Sequence, residues 1–161
     1  MALLFDGTDD RVESVSMAGV PTAYPFTACV VMRGNASAAY RGLVQAGHGG
    51  AGVRVWALEL TGGDVLELSD NVTDSVVSVG AVPEAAWVFV ACAASSATVR
   101  RFFCHNYETR TVVFDETPAG TVTLEAGQTG DSLKIGTFET SGGSFTDFFT
   151  GRIEWVAVYD V

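Results

Sequence analysis

The chain has 161 residues, of which 48% are apolar and 17% charged, and its formal net charge is −10. Such a polyanion repels a phosphate backbone, which argues against nucleic acid as a partner. No uninterrupted apolar run approaches the ~20 residues of a membrane-spanning helix, and at this length folding hides roughly 70% of the unfolded chain's surface, enough for a core without disulfide or metal staples.

Runs of β-forming residues bounded by Gly, Ser, Thr, Asn and Asp recur from end to end. No stretch of eleven or more residues carries a clean helical period with caps. The predicted strands are 2–5, 10–14, 25–33, 41–46, 52–60, 64–69, 74–79, 86–94, 97–105, 110–114, 121–125, 131–137 and 151–160, within one domain spanning 1–161. Asp6-Gly7, Gly49-Gly50, Gly62-Gly63, Ala119-Gly120 and Gly142-Gly143 supply the positive backbone angles that tight reversals need. In the strand at 86–94, Trp87, Phe89 and Ala91 alternate with Val88, Val90 and Cys92, so both faces are apolar. Such a strand sits centrally in a sheet whose outer face is also covered, by a loop or another subunit.

Arg100 and Arg101 point to opposite faces, so one guanidinium approaches the inner layer, an edge or a bulge. If Ser95-Ser96 is the hairpin turn, Cys92 falls opposite Val99 and Cys104 opposite Trp87, too far out of register for a disulfide. The odd count of three cysteines then reads as apolar filling in a chain made in a reducing compartment. The one lysine, Lys134, stands beside eight arginines. Either the surface is widely covered by partners, because lysine is depleted from interfaces, or a GC-rich genome favours arginine.

Four segments carry a family pattern. They are Leu3-Leu4-Phe5-Asp6-Gly7-Thr8-Asp9-Asp10-Arg11-Val12 at the start, Ala86-Trp87-Val88-Phe89-Val90-Ala91, Asp131-Ser132-Leu133-Lys134-Ile135-Gly136, and Gly151-Arg152-Ile153-Glu154-Trp155-Val156-Ala157-Val158-Tyr159-Asp160 at the end. In that order and spacing they resemble the concanavalin A-like lectin/glucanase superfamily, in its laminin-G-like branch. The resemblance implies an all-β, antiparallel two-sheet jelly-roll sandwich in which the first and last segments are neighbouring strands. Folds of this kind host sugar-binding, protein-binding and hydrolytic relatives, so function rests on sites.

Hydrolytic members of the superfamily carry a Glu-x-Asp-x-Glu strand, which this chain lacks; the nearest approach is Glu59, Asp64 and Glu67. Thr61-Gly62-Gly63 turns the chain between the first and the other two, so the three need not share a face. His48 and His105 fall in no nucleophile elbow and no metal pattern. The chain is therefore expected to be no enzyme. The resemblance also raises calcium, for which Asp6, Asp9 and Asp10 are the candidates, joined by Asp160 or Asp147 where the strand ends meet. The alternative duty of Asp6, Asp9 and Asp10 is to accept backbone N–H groups within the turn. Asp70, Asn71 and Asp74 form a second acidic loop.

Sugar recognition needs aromatic platforms flanked by hydroxyl-binding polar groups. Tyr24, Tyr40, Tyr107 and Phe145 are the candidates, while Phe148 and Phe149 read as packing residues. Trp155 occupies a position that relatives give to an outward acidic side chain. Either it faces out and joins a protein interface, or a bulge turns it inward.

Met1-Ala2-Leu3-Leu4-Phe5 runs straight into Asp6, without the basic start and apolar core of a secretion signal. A lectin-like fold without a leader is reconciled by a tailed phage, whose proteins fold in host cytoplasm and reach the outside by assembly and lysis. The expected function is thus a non-catalytic, lectin-like virion protein, a capsid decoration or tail component, docking on other virion proteins or itself and touching host glycans. A free-standing carbohydrate-binding module and a glycan-active enzyme with an unrecognised site are the alternatives.

Overall fold

The structure, a computed structural model, describes residues 2–15, 17–37, 39–48, 53–70, 74–124, 131–139 and 144–160. Every regular element among them is a strand. In chain order these are β1 (Leu3–Asp6), β2 (Val12–Val15), β3 (Phe26–Gly34), β4 (Arg41–His48), β5 (Val53–Leu60), β6 (Val65–Ser69) and β7 (Ser75–Ala81). There follow β8 (Val88–Ala94), β9 (Arg100–Asn106), β10 (Thr111–Glu116), β11 (Ser132–Ile135), β12 (Phe138–Glu139), β13 (Phe145–Thr146) and β14 (Thr150–Asp160). Sheet A has the order β1-β14-β3-β8-β9-β10 and sheet B the order β2-β11-β4-β5-β6-β7, while β12 and β13 form a small hairpin of their own. All pairings are antiparallel.

The two ends of the chain meet as expected, Leu3 opposite Ile153 and Asp6 opposite Thr150. Two-residue alternation drives one row of side chains from each sheet into the shared interior. Phe26, Val30, Met32, Val88, Val90, Cys92, Phe102 and Cys104 come from sheet A, and Val44, Trp56, Leu58, Leu60, Leu66 and Leu68 from sheet B. At the centre the Phe26 and Trp56 rings stack at 4.7 Å, and the indole N–H of Trp56 donates to the Pro21 carbonyl at 2.9 Å.

Three sequence expectations change. Residues 121–124 form no strand; Val122 instead docks singly on the core, its N–H donating to Ala97 O at 2.9 Å and its carbonyl accepting from the Tyr24 hydroxyl at 2.5 Å. The β8–β9 hairpin closes at Ala94 opposite Arg100, not at a two-residue turn, so Cys92 faces Phe102 and Cys104 faces Val90. The Ser95 and Ser96 N–H groups both donate to Val99 O, which makes a wider loop of 95–99. All three thiols remain free and buried, and burial raises those of Cys92 and Cys104 to about 12. Finally, β12 and β13 lie where no strand was expected. Of the arginine pair, Arg100 is the inward one, held by the carbonyls of Ala97 and Gly120, and Arg101 pairs with Asp115 outside. The Gly49-Gly50 and Gly142-Gly143 turns, Asn71 and Glu125 lie outside the described residues.

Candidate functional site

Sheet B hides polar side chains on the face turned away from the core. Lys134, Gln45, Ala57, Ser69 and Ser75 form one cross-strand row from β11 to β7, and Glu59 and Glu67 sit opposite each other on β5 and β6 in the next. The β12–β13 hairpin lies over this face. It is tied down by Gln45, whose side-chain oxygen accepts the Glu139 N–H at 2.8 Å and whose amide donates to Glu139 O at 3.4 Å. Lys134, fully buried, places its ammonium 2.6 Å from the Glu139 carboxylate. Gly42 permits the close crossing, because a Cβ there would lie 2.2 Å from the Thr137 carbonyl oxygen and its N–H donates to Asp147 O at 2.7 Å.

Beside the hairpin opens a cleft of about 330 Å³. Its walls include Tyr40, Arg54, Glu59, Glu67, Ser69, Asp70, Asp74, Phe138 and Asp147. The Phe138 ring covers the Arg54 guanidinium at 4.0 Å, and Arg54 Nη1 stands 3.3 Å from Ser69 Oγ and 3.8 Å from Glu59 Oε1. Ser69 Oγ in turn donates to Glu59 Oε1 at 2.6 Å. Burial raises Glu59 from 4.5 to about 7, outweighing the opposing pull of that hydrogen bond and of Arg54. Glu67 is only 7% exposed and lines the cleft. Its charge is the leading cause that raises the Tyr40 phenol. The expectation that Glu59, Asp64 and Glu67 need not share a face divides here. Glu59 and Glu67 share one, while Asp64 is drawn off to a buried ion pair with Arg41.

A second hollow, of about 480 Å³, lies on the outer face of sheet A between Val31, Trp87, Tyr107, Glu108, Glu154 and Trp155. Gly151 and Ile153 face inward, so plain alternation would bury Trp155 as well. A bulge between Ile153 and Trp155 shifts the register and turns the indole out, 43% exposed, opposite Val31. The bulge thus does the reverse of the inward turn weighed from sequence. Along β14 beyond it, Val156 and Val158 become the inward residues.

Of the sugar-platform candidates, Tyr40 lines the sheet-B cleft and Tyr107 the sheet-A hollow. Tyr24 stacks on Phe26 at 5.8 Å and serves the core. Phe145 on β13 lies 4.0 Å beneath the Arg11 guanidinium. Among the calcium candidates, the carboxylates of Asp6, Asp9 and Asp10 come within 4.8 Å of one another, all exposed. Asp6 accepts the Thr8 N–H at 2.7 Å and Asp10 the Asp6 N–H at 2.8 Å, which is the turn duty. Asp147 and Asp160 are placed elsewhere, at the sheet-B cleft and beside Tyr24. Sequence reading missed Arg54, Phe138 and the pairing of Glu59 with Glu67. One signal was available, since Leu58-Glu59-Leu60 and Leu66-Glu67-Leu68 are mirror triplets about Gly63.

No family model and no curated protein matches this sequence. Solved structures do match its fold. The CBM40 module of the Ruminococcus gnavus IT-sialidase, solved bound to α2,3-sialyllactose, is 17% identical with a TM-score of 0.64, over 99% of this chain and 90% of that one. A heptameric SAP-like pentraxin from Limulus polyphemus is 13% identical, with a TM-score of 0.60 over 96% of this chain and 73% of its own. The LG1-3 region of the laminin alpha2 chain is 12% identical, with a TM-score of 0.65 over 98% of this chain and 31% of its own. The likeness is one of fold, the concanavalin A-like jelly roll.

Proposed function

We propose that this chain is a non-catalytic glycan-binding module whose site is the cleft on the outer face of sheet B. The observation that carries the reading is a sheet face paved with buried, mutually fixed polar side chains beside two aromatic rings, Tyr40 and Phe138. Aromatic faces suit the C–H side of a sugar ring, and fixed polar groups suit its hydroxyls. A module of the same fold carrying sialyllactose supports the ligand class. A glycan array probed with the chain tests it. Hits that weaken about tenfold in Tyr40→Ala and persist in Trp155→Ala are expected, a loss of the size usual for one aromatic contact. A silent array, or hits abolished by Trp155→Ala alone, contradicts the reading.

The setting that goes with it is the virion of a tailed phage, as a capsid decoration or tail-associated protein made in host cytoplasm. Free, buried thiols suit assembly in a reducing compartment, and the apolar hollow around Trp155 suits docking on another virion protein or a second copy. Proteomics of purified particles from the source organism's lysates tests the setting. Absence from every particle fraction removes it and leaves the cleft as it stands.

Glu59 supports a hydrolytic second reading, because a carboxylic acid protonated near neutrality opposite a second carboxylate is a general acid paired with a base or nucleophile. Release of reducing sugar from polysaccharide mixtures, abolished in Glu59→Gln, would replace the module with an enzyme.

A further inference from the structure

We infer that the hollow on the outer face of sheet A binds a quaternary ammonium group of the choline type, seated among Trp87, Tyr107 and Trp155, with Glu108 and Glu154 supplying the opposing charge. The inference goes beyond the sheet-B reading and does not depend on it. Three rings from three separate parts of the chain line one hollow of about 480 Å³, together with Val31 and the two carboxylates. The bulge in β14 brings ring and carboxylate to the same place. Plain alternation would send Glu154 and Trp155 to opposite faces. The register instead passes from Ile153 opposite Met32 to Trp155 opposite Val31, so Glu154 is the extra residue, and both side chains are exposed at the hollow. Trp87 and Tyr107 are tied through the backbone, the Tyr107 N–H donating to Trp87 O at 2.9 Å. Glu108 is held in the turn after β9, where Asn106 Oδ1 accepts its N–H at 2.8 Å and its own Oε1 accepts the Trp87 N–H at 3.3 Å. The His105 ring meets that of Tyr107 edge to face at 5.4 Å.

A quaternary ammonium has no N–H to donate and spreads its charge over methyl groups, so it is matched by aromatic walls with negative charge close by. The hollow offers that combination. A primary ammonium, strongly hydrated and carrying three donors, is better served by a polar cleft than by rings. A metal ion needs more oxygens than two carboxylates give, and among the described residues only Asp6, Asp9 and Asp10 bring three such groups within 4.8 Å. Neither lysine nor arginine lines the hollow. Arg33 and Arg152 stand opposite each other further along the same two strands, and Arg33 is drawn to the Ala85 carbonyl, its Nε donating at 2.8 Å. The net charge of −10 draws cations toward the surface as a whole. An anion on the ligand itself meets Glu108 and Glu154, which favours choline over betaine. A partner docked on this face and a free cation meet the same rings, and the experiment separates the two occupants.

Calorimetry on the full chain at neutral pH tests the inference, with choline, glycine betaine and an uncharged alcohol in which carbon replaces the choline nitrogen. Choline is expected to bind about tenfold tighter than the alcohol, whose shape is the same and whose charge is absent. Trp155→Ala is expected to weaken choline about tenfold, and Glu154→Gln, which keeps the shape, about threefold without changing the alcohol. Both side chains are exposed, so both variants are expected to fold, and an unchanged melting temperature checks that they have. Tyr40→Ala in the sheet-B cleft is expected to leave choline binding as it was. Equal affinity for choline and the alcohol, or choline binding that survives Trp155→Ala, overturns the inference and leaves the sheet-B reading untouched. Failure of choline to bind overturns it too, and an oligomer whose mass falls in Trp155→Ala then identifies a second copy as the occupant.

Discussion

At the scale of single residues, burial sets the chemistry of sheet B more than neighbouring charge does. Glu59 has a guanidinium at 3.8 Å and a serine hydroxyl at 2.6 Å, both favouring its carboxylate, yet its pKa rises from 4.5 to about 7 because desolvation is the larger effect. The sign for stability follows. Below pH 4.5 the folded and unfolded chains are both protonated here; as pH climbs toward about 7 the unfolded chain loses its proton first, and stability falls. The total is about 3 kcal/mol by slightly alkaline pH, at 1.36 kcal/mol per pKa unit. Glu59→Gln is expected to flatten most of that decline in denaturant melts from mildly acidic to mildly alkaline pH, and an unchanged decline would contradict the burial account. The sequence made Glu59 and Glu67 visible as acidic residues in β-rich runs, but not their pairing, because the turn at Thr61-Gly62-Gly63 had to be closed in register first. Trp155 was open to both orientations for a like reason, since one extra residue in a strand inverts every side chain after it.

At the scale of elements, the long strands were legible and the short ones were not. Strands such as β3, β5 and β8 carry enough alternating apolar residues to announce themselves. The two-residue strands β12 and β13 have no period to detect. What places them is their contacts, with Gln45 standing in for a backbone partner, Lys134 holding Glu139 and Arg54 seating Phe138. Residues 121–124 failed in the opposite direction, because Val122 and Leu124 are apolar through docking on the core and not through a sheet ladder. Gly42→Ala tests the role of the hairpin. A methyl group 2.2 Å from the Thr137 carbonyl forces backbone apart, at a cost of about 1–3 kcal/mol typical of overpacking. Faster amide exchange at Glu139, together with weaker glycan binding, is the expected outcome. Unchanged exchange at Glu139 would mean that the hairpin does not depend on this crossing.

At the scale of the whole molecule, the two sheets share a core and differ in what they turn outward. Sheet A offers an apolar face with Trp155, Trp87, Val31 and Tyr107, and sheet B a charged and partly roofed one. The jelly roll itself was legible from the resemblance of the four segments to the laminin-G-like pattern, whereas this division was not, because it depends on a bulge in β14 and a hairpin over β4. Trp155→Ala is expected to leave the melting temperature nearly unchanged, as its indole lies outside the core, while lowering the mass of any assembly seen by native mass spectrometry. An unchanged assembly mass would remove the sheet-A face as an interface. The most direct measurement of the glycan site is an amide-shift titration with the strongest array hit. Perturbations are expected to gather on Ala57, Glu59, Glu67, Ser69 and Phe138, and their concentration on Val31, Trp87 and Trp155 instead would place the sugar on the other sheet and contradict the assignment.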